Sequence, residues 1–425
     1  MTGPNQTRTE APRAEPDVGF SLAAGPGAAP AAAPDPTAAA PWSAAAAPKP
    51  VPEAPVPSDP AAECTELSRA IAREIAAAGP AGWHRVEAVF TMTVAAEAAI
   101  IVFFDEQERA ARAMPSEQLL NLVRAHRERS AQVSDGPWWR YLFALDSAGS
   151  LQVDHDFGAE PFPEDQLFPP EAYLADLAAF PRSRIPVWLG AYLHHGDRQS
   201  RTPAAARADH LAHRGAPVPE AELPELPLIS ARWAVLAAVF VAIGSPLGPR
   251  ILPALNWFAG STRSGSALFT LPGGRAVLSG GVWEAAALDA VYNGGAEMPA
   301  FYRGAPEWVA NPVLDPRAAT GSLSFCYWWE NGRWFRAESP PASEIAPAVP
   351  AIWSTESTAG ILAALLAEAM GMDATAAATE LVIAAETGVV HRDAVRRLLG
   401  ADERLELEAG LLQLSMAGVV VTGEG

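Results

Sequence analysis

Residues 138–157, WWRYLFALDSAGSLQVDHDF, alternate apolar and polar side chains on both sides of a small Ser147-Ala148-Gly149 break. That period of two predicts a β-hairpin with one buried face. Tyr141, Phe143 and Leu145 then share a face with Leu151, Val153 and Phe157, while Arg140, Asp146, Gln152, Asp154 and Asp156 lie opposite, on a face that an antiparallel pair can leave in water. In this register neither Asp154 nor Asp156 bears on the core, so substituting either one is expected to leave folding intact.

The preceding residues predict the partners of this hairpin. Leu67, Ala70, Ile71, Ile75 and Ala78 fall at helical spacing, and Gly79-Pro80 stops the pattern. Residues 83–94 alternate as a strand and 98–104 form a second one. Pro115-Ser116-Glu117 opens another helix, with Leu119, Leu122, Val123 and His126 as its inward stripe, and Asp135-Gly136-Pro137 leads into the hairpin. The expected order is helix, hairpin, helix, hairpin.

Several of these residues carry a family likeness. Gly82-Trp83 after an amphipathic helix, the two strands that follow, the Trp138-Trp139 strand, the turn at Gly149, the Asp154-His155-Asp156-Phe157 ending and the downstream Arg182, Arg184 and Trp188 together resemble the YezG-like family of antitoxin and immunity proteins. The usual Asp-Tyr-Asp-Tyr run of that family reads Asp-His-Asp-Phe in this chain, and the resemblance covers about residues 63–195. It implies a cytoplasmic protein that neutralises a secreted polymorphic toxin by direct contact and performs no catalysis. Asp146, Gln152, Asp154, Asp156 and Glu160 are the partner-binding residues expected on that basis. An acidic face suits a toxin with a basic surface, since it can occupy the ground that would hold phosphates and also speed encounter. Plain solvation of an outer hairpin face accounts for the same carboxylates.

The charge balance limits the partners. Thirty basic against 49 acidic residues give −19, which argues against a sequence-independent grip on nucleic acid or on anionic lipid. The 425 residues, 49% of them hydrophobic, suffice for two or three cores, but 40 prolines are too many for one compact domain. Cys64 and Cys326 lie far apart in sequence and supply neither a disulfide framework nor a metal knuckle. The opening residues carry no continuous apolar stretch, and the longest apolar run, 233–243, is far short of a membrane span, so a cytoplasmic setting is expected.

The remaining segments follow from composition and spacing. Residues 1–62, rich in Ala, Pro and Gly with Trp42 among few large side chains, read as a disordered tail. Residues 196–230 read as a polar, Pro-rich linker. The His194-His195 pair just before it and the His210/His213 pair within it would need an ordered helix and a further ligand to hold a metal, and no metal or cofactor is expected. Over 231–345 the order helix, hairpin, helix, hairpin returns, which suggests a diverged duplicate. In its last hairpin Asn331-Gly332 suits a type I′ turn that pairs Trp329 with Trp334. The rings of Tyr327, Trp328, Trp329, Trp334 and Phe335 are read as core ahead of a stacking platform. Residues 346–425 read as a small helical bundle, or as a lid packed on the second domain.

The expected fold class is α+β, with two modules of antiparallel sheet, a C-terminal helical segment and the N-terminal tail. Two other functions compete with immunity. One is an ADP-ribosyltransferase, suggested by Tyr302-Arg303-Gly304 and by Ser354 to Thr358 around Glu356, although no Glu-x-Glu follows; local loop and helix-cap roles explain the same residues. The other is a secretion-associated adaptor that docks through the tail. No Walker loop, G-x-S-x-G elbow or H-E-x-x-H occurs.

Overall fold

The structure, a computed structural model, describes residues 59–213, 218–370, 373–400 and 405–423. The expected tail and Trp42 therefore lie outside the described residues, except that Asp59 caps the first helix and residues 60–62 already belong to it. The fold is α+β with antiparallel sheets, as expected, and the described residues divide into two compact units, one within 59–183 and one within 184–423. The boundary falls at 183/184, a dozen residues before the predicted one.

In the first unit, α1 (Pro60–Ala78) starts where the Asp59 carboxylate accepts the Ala61 N–H and proline takes the first turn, whose N–H groups have no helical partner. Strands β1 (Arg85–Met92), β2 (Glu97–Phe104) and β3 (Ala110–Ala113) follow. Helix α2 (Glu117–Ser130) is capped by the Ser116 hydroxyl, and β4 (Arg140–Asp146) and β5 (Leu151–Asp156) form the predicted hairpin. The sheet order is β3-β2-β1-β4-β5, so the late hairpin is added to the first strand and β5 becomes an edge. Ile71 and Ile75 of α1, together with Leu119 and Val123 of α2, bury one sheet face through Val86, Phe90, Phe103, Tyr141 and Phe143. A third helix, α3 (Pro170–Ala179), completes the unit. Its Asp176 is fully buried; its two carboxylate oxygens accept from one Arg127 nitrogen, Nη2, at 2.8 and 2.7 Å, and it also accepts the Trp139 indole N–H at 2.9 Å and the Val94 N–H at 2.9 Å.

The second unit begins with α4 (Val187–His194) and α5 (Pro203–Ala212), the latter capped by Thr202. The predicted linker is thus largely structured. Its proline-rich part also joins the sheet: the Pro219 carbonyl accepts the Arg336 N–H at 3.1 Å, and the Ala221 N–H reaches the Trp334 carbonyl at 2.8 Å. Prolines suit such a sheet margin because it leaves one side of the backbone without ladder partners. Helix α6 (Leu226–Ala242) is buried nearly all round, which explains its continuous apolar run without a membrane. Strands β6 (Arg250–Leu252), β7 (Leu255–Ala259), β8 (Gly265–Leu271) and β9 (Arg275–Gly281) precede α7 (Ala286–Tyr292), and β10 (Phe325–Glu330) and β11 (Arg333–Arg336) follow it.

This second sheet has the order β11-β10-β9-β8-β7-β6, an uninterrupted meander. Its late hairpin joins the last strand before the helix, whereas in the first unit it joins the first strand. The two sheets are therefore not copies, and the expected duplication is corrected. The Asn331-Gly332 turn has φ of 53° and 78°, as type I′ requires, and Trp329 opposes Trp334. Tyr327, Trp328 and Trp334 are buried in the core, as expected.

The C-terminal segment comprises α8 (Ala342–Ile345), α9 (Thr355–Met370), α10 (Thr375–Glu386), β12 (Val389–His391), α11 (Arg392–Leu399), α12 (Leu407–Met416) and β13 (Val420–Thr422). It is not a separate bundle. Leu362, Leu366, Leu381, Leu398 and Leu414 share one core with α6 and with Leu278, Phe325 and Tyr327 of the sheet. The short parallel pair β12–β13 was not anticipated. Among the described residues no helix is long and apolar enough to cross a membrane.

Candidate interaction site

The β4–β5 hairpin sorts its side chains as its alternation predicts. Tyr141 opposes His155, Phe143 opposes Val153 and Leu145 opposes Leu151 on the helix-covered face; Arg140 opposes Asp156, Leu142 opposes Asp154 and Ala144 opposes Gln152 on the outer face. Of the five residues expected to bind a partner, the structure brings Gln152 and Asp154 together, two positions apart and exposed on the edge strand. Glu160 is exposed beyond the end of β5. The other two are engaged in holding the hairpin. Asp146 accepts the Ser150 N–H at 2.8 Å and so closes the turn, with Gly149 at φ 90°. Asp156 pairs with Arg140 at 2.7 Å and accepts the Gly158 N–H at 2.8 Å, in a setting where both side chains are mostly buried.

Arg140 also donates to Gln166 at 2.8 Å and lies 5.8 Å from the Phe162 ring centre, so this end of the outer face is tied down by residues 162–166. The expectation that Asp156 could be replaced without harm to the fold is corrected. Alternation puts a side chain on the outer face, but what else reaches that face is decided by chain some ten residues later.

Register extends the outer face beyond the acidic residues. Ile100 of β2 opposes Val89 of β1, Val89 opposes Leu142 of β4, and Leu142 opposes Asp154, giving an apolar row across three strands that ends at a carboxylate on the edge. Ile100, Val89 and Leu142 are half-buried. The next row is Val102, Glu87, Ala144 and Gln152. An apolar patch bordered by polar and charged side chains has the make-up of a protein-binding surface. Sequence reading missed Ile100, Val89 and Leu142 because each looks like ordinary strand filling; only the strand order aligns them.

The other side of β5 contributes to a cavity of about 500 Å³ between α1, α2 and the strand. Cys64, Thr65, Ser68, His126, Val153 and His155 are among its walls. The His126 and His155 rings lie parallel, 5.2 Å apart with an interplanar angle of 10°. Trp138 donates its indole N–H to His126 Nδ1 at 3.1 Å, which places the His126 proton on Nε2, since an indole nitrogen can only donate. His126 Nε2 and His155 Nε2 are buried without a hydrogen-bond partner, an omission that costs about 1–3 kcal/mol per group. Burial holds His126 down to about 4 and also lowers His155, so both are neutral at pH 7. Burial raises Tyr141 to about 12, and its hydroxyl donates to Ser68 at 3.0 Å. The Cys64 thiol is likewise raised, chiefly by burial, and stays protonated.

Downstream, Arg182 stacks over Trp139 at 3.7 Å and donates to the carbonyls of Asp135, at 3.1 Å, and of Pro137. Arg184 binds Glu284 and Asp289 inside the second unit, where Trp188 lies on α4. The residues that suggested ADP-ribosyl transfer have local roles. Arg303 pairs with Glu338 at 2.5 Å on the surface, and Ser354 and Ser357 exchange backbone-to-hydroxyl bonds at the start of α9. Among the described residues no three potential metal ligands stand together. Compared with known proteins, the chain matches no protein-family model and no curated protein.

Proposed function

We propose that the protein is a non-catalytic immunity protein whose first unit neutralises a secreted toxin by direct contact, with the outer face of its sheet as the contact surface. The observation that carries this reading is the row Ile100, Val89, Leu142, Asp154, which joins an apolar patch to an acidic sheet edge. Apolar contact supplies affinity, while Asp154, Glu87 and the excess of acidic residues favour a basic partner over nucleic acid or anionic membrane. The resemblance to YezG-like immunity proteins leads to the same surface and to a cytoplasmic setting. Asp154 is the residue to test, because among the described residues its carboxylate bonds only to the adjacent His155 N–H and its replacement leaves the core untouched.

An immunity gene is expected to lie beside its toxin gene; titration calorimetry against the product of such a neighbour measures the affinity, and stopped-flow mixing measures the association rate. Asp154→Lys is expected to weaken binding by about tenfold to a hundredfold, and the wild-type association rate should fall as salt rises. Unchanged affinity in Asp154→Lys, with salt-independent association, rejects this surface. Consumption of nicotinamide dinucleotide by the purified protein, abolished by Arg303→Ala, would instead favour the transferase.

A further inference from the structure

The two antiparallel sheets have four edges, and three of them are covered, capped or short. In the second sheet Glu220 bridges to Phe335 of β11, and the Gln413 side chain accepts the Ile251 N–H of β6 at 2.7 Å. In the first sheet β3 has only four residues. The edge at β5 is different: its six residues pair with β4 in unbroken register, include neither proline nor lysine, and among the described residues no strand pairs with their far side. Such an edge lacks the usual devices that keep other chains from pairing with it. Asp146 donates its N–H to the Ser150 carbonyl at 3.1 Å. Antiparallel bonding alternates along a strand, so Gln152, Asp154 and Asp156 bond toward β4, while Leu151, Val153 and His155 turn N–H and C=O outward. The Asp154 carboxylate takes the His155 N–H at 2.8 Å, which leaves Leu151 and Val153 as the open donors.

The two faces of this strand differ in what they offer. On the helix side Val153, Phe157 and Val133 line the open cavity while 40%, 36% and 54% exposed, so an apolar surface stands uncovered beside the edge. On the outer side Gln152 and Asp154 are exposed, and Asp154 has Leu142, not a cation, across from it. We propose that β5 accepts an added antiparallel strand of the toxin, one that alternates apolar with basic side chains. Its residues opposite Leu151 and Val153 exchange backbone bonds with them and lay apolar side chains over Val153, Phe157 and Val133. Its residues between these stand on the outer face, where a lysine meets the Asp154 carboxylate in the closer, non-hydrogen-bonded kind of pair. The row Ile100, Val89, Leu142, Asp154 is thereby continued by a cation. The source of the strand rests on the proposed function; the open edge and its chemistry do not.

The full-length protein is titrated with the acetylated, amidated peptide Thr-Val-Lys-Val-Lys-Val-Thr, followed by fluorescence anisotropy, and NMR reads hydrogen exchange at the Leu151 and Val153 amides. Saturable binding is expected, with exchange at both amides slowed about tenfold near saturation. The valine N–H groups face β5 in this arrangement and the lysine N–H groups face water. N-methylation of the central valine should therefore weaken binding about tenfold, the worth of one good hydrogen bond, while N-methylation of a neighbouring lysine changes it less than about twofold. Asp154→Lys should weaken this peptide by about tenfold and bind Thr-Val-Glu-Val-Glu-Val-Thr more tightly than the unmodified protein does. Val153→Pro removes an outward N–H without a bond to β4 being lost, and should weaken binding at least as much while the far-ultraviolet dichroism is unchanged. If that variant fails to fold, the N-methyl pair on the unmodified protein decides. Absence of saturable binding, equal effects of the two methylations, unslowed exchange at Leu151 and Val153, or full binding by folded Val153→Pro overturns strand addition and leaves the outer-face contact standing. Peptide binding that meets every expectation, in a protein that binds no toxin from a neighbouring gene, supports the open edge and rejects the proposed function.

Discussion

Asp176 and His126 are the two side chains on which the first unit depends most, for opposite reasons. Asp176 is a buried charge satisfied from three directions, by Arg127, Trp139 and the Val94 N–H. Asp176→Ala leaves Arg127 buried without a counter-ion and should cost about 3–5 kcal/mol, read as a lower urea midpoint. Asp156→Lys should also destabilise, by about 1–3 kcal/mol, because it breaks the Arg140 pair and the Gly158 cap; Asp154→Lys should change stability by less than about 0.5 kcal/mol. The outer-face placement of Asp154 and Asp156 was legible from alternation, yet their different roles were not. Arg140 and Gly158 lie near Asp156 in sequence, but the segment around Phe162 and Gln166 that buries the pair folds back in a way that no periodicity records.

At the level of elements, the identity of many helices and strands could be read, α3, α4, α5 and β3 excepted, while strand order could not. The hairpins announced themselves through alternation and through turns at Gly149 and Asn331-Gly332, and α6 through its apolar run. Which existing strand a late hairpin joins depends on packing between elements, so the two sheets differ in topology, and the second also has four strands before its helix where the first has three. β3 escaped notice because Ala110–Ala113 is short and exposed, and the Pro-rich edge around Pro219 because proline suggests a linker. Gly332→Val at φ 78° should lower stability by about 1–2 kcal/mol, the penalty for a side chain in the left-handed region. Gly190→Ala on α4 would bring a methyl within 2.7 Å of Tyr292 Cβ on α7 and should cost about 1–3 kcal/mol. Both effects are measurable as shifts of the thermal midpoint of the second unit.

For the whole molecule, the two units carry buried ionisable groups of opposite character. His126 is depressed to about 4 by burial, so the unfolded chain binds the proton more readily. The first unit should be fully stable above about pH 6.5 and lose roughly 3 kcal/mol as pH falls toward 4. Asp315 in the second unit is raised to about 7, chiefly by burial, so there the folded state holds the proton more tightly. That contribution is complete below about pH 4 and is lost as pH rises through 7, by an amount on the order of 4 kcal/mol. Calorimetry from pH 4 to 7 should therefore show two transitions moving in opposite directions, and His126→Phe should flatten the first.

The central claim is that neutralisation resides in the first unit and on its outer sheet face. Residues 59–183 contain the complete first sheet, α1 to α3 and their core, so they can be produced as a fragment alongside 184–423. The most direct measurement is survival of cells that make a toxin from a neighbouring gene, which the proposed function expects, together with one fragment or the other. Protection by 59–183, lost on Asp154→Lys while the fragment remains folded, is the predicted result; protection by 184–423 alone, or full protection by the folded Asp154→Lys fragment, contradicts it.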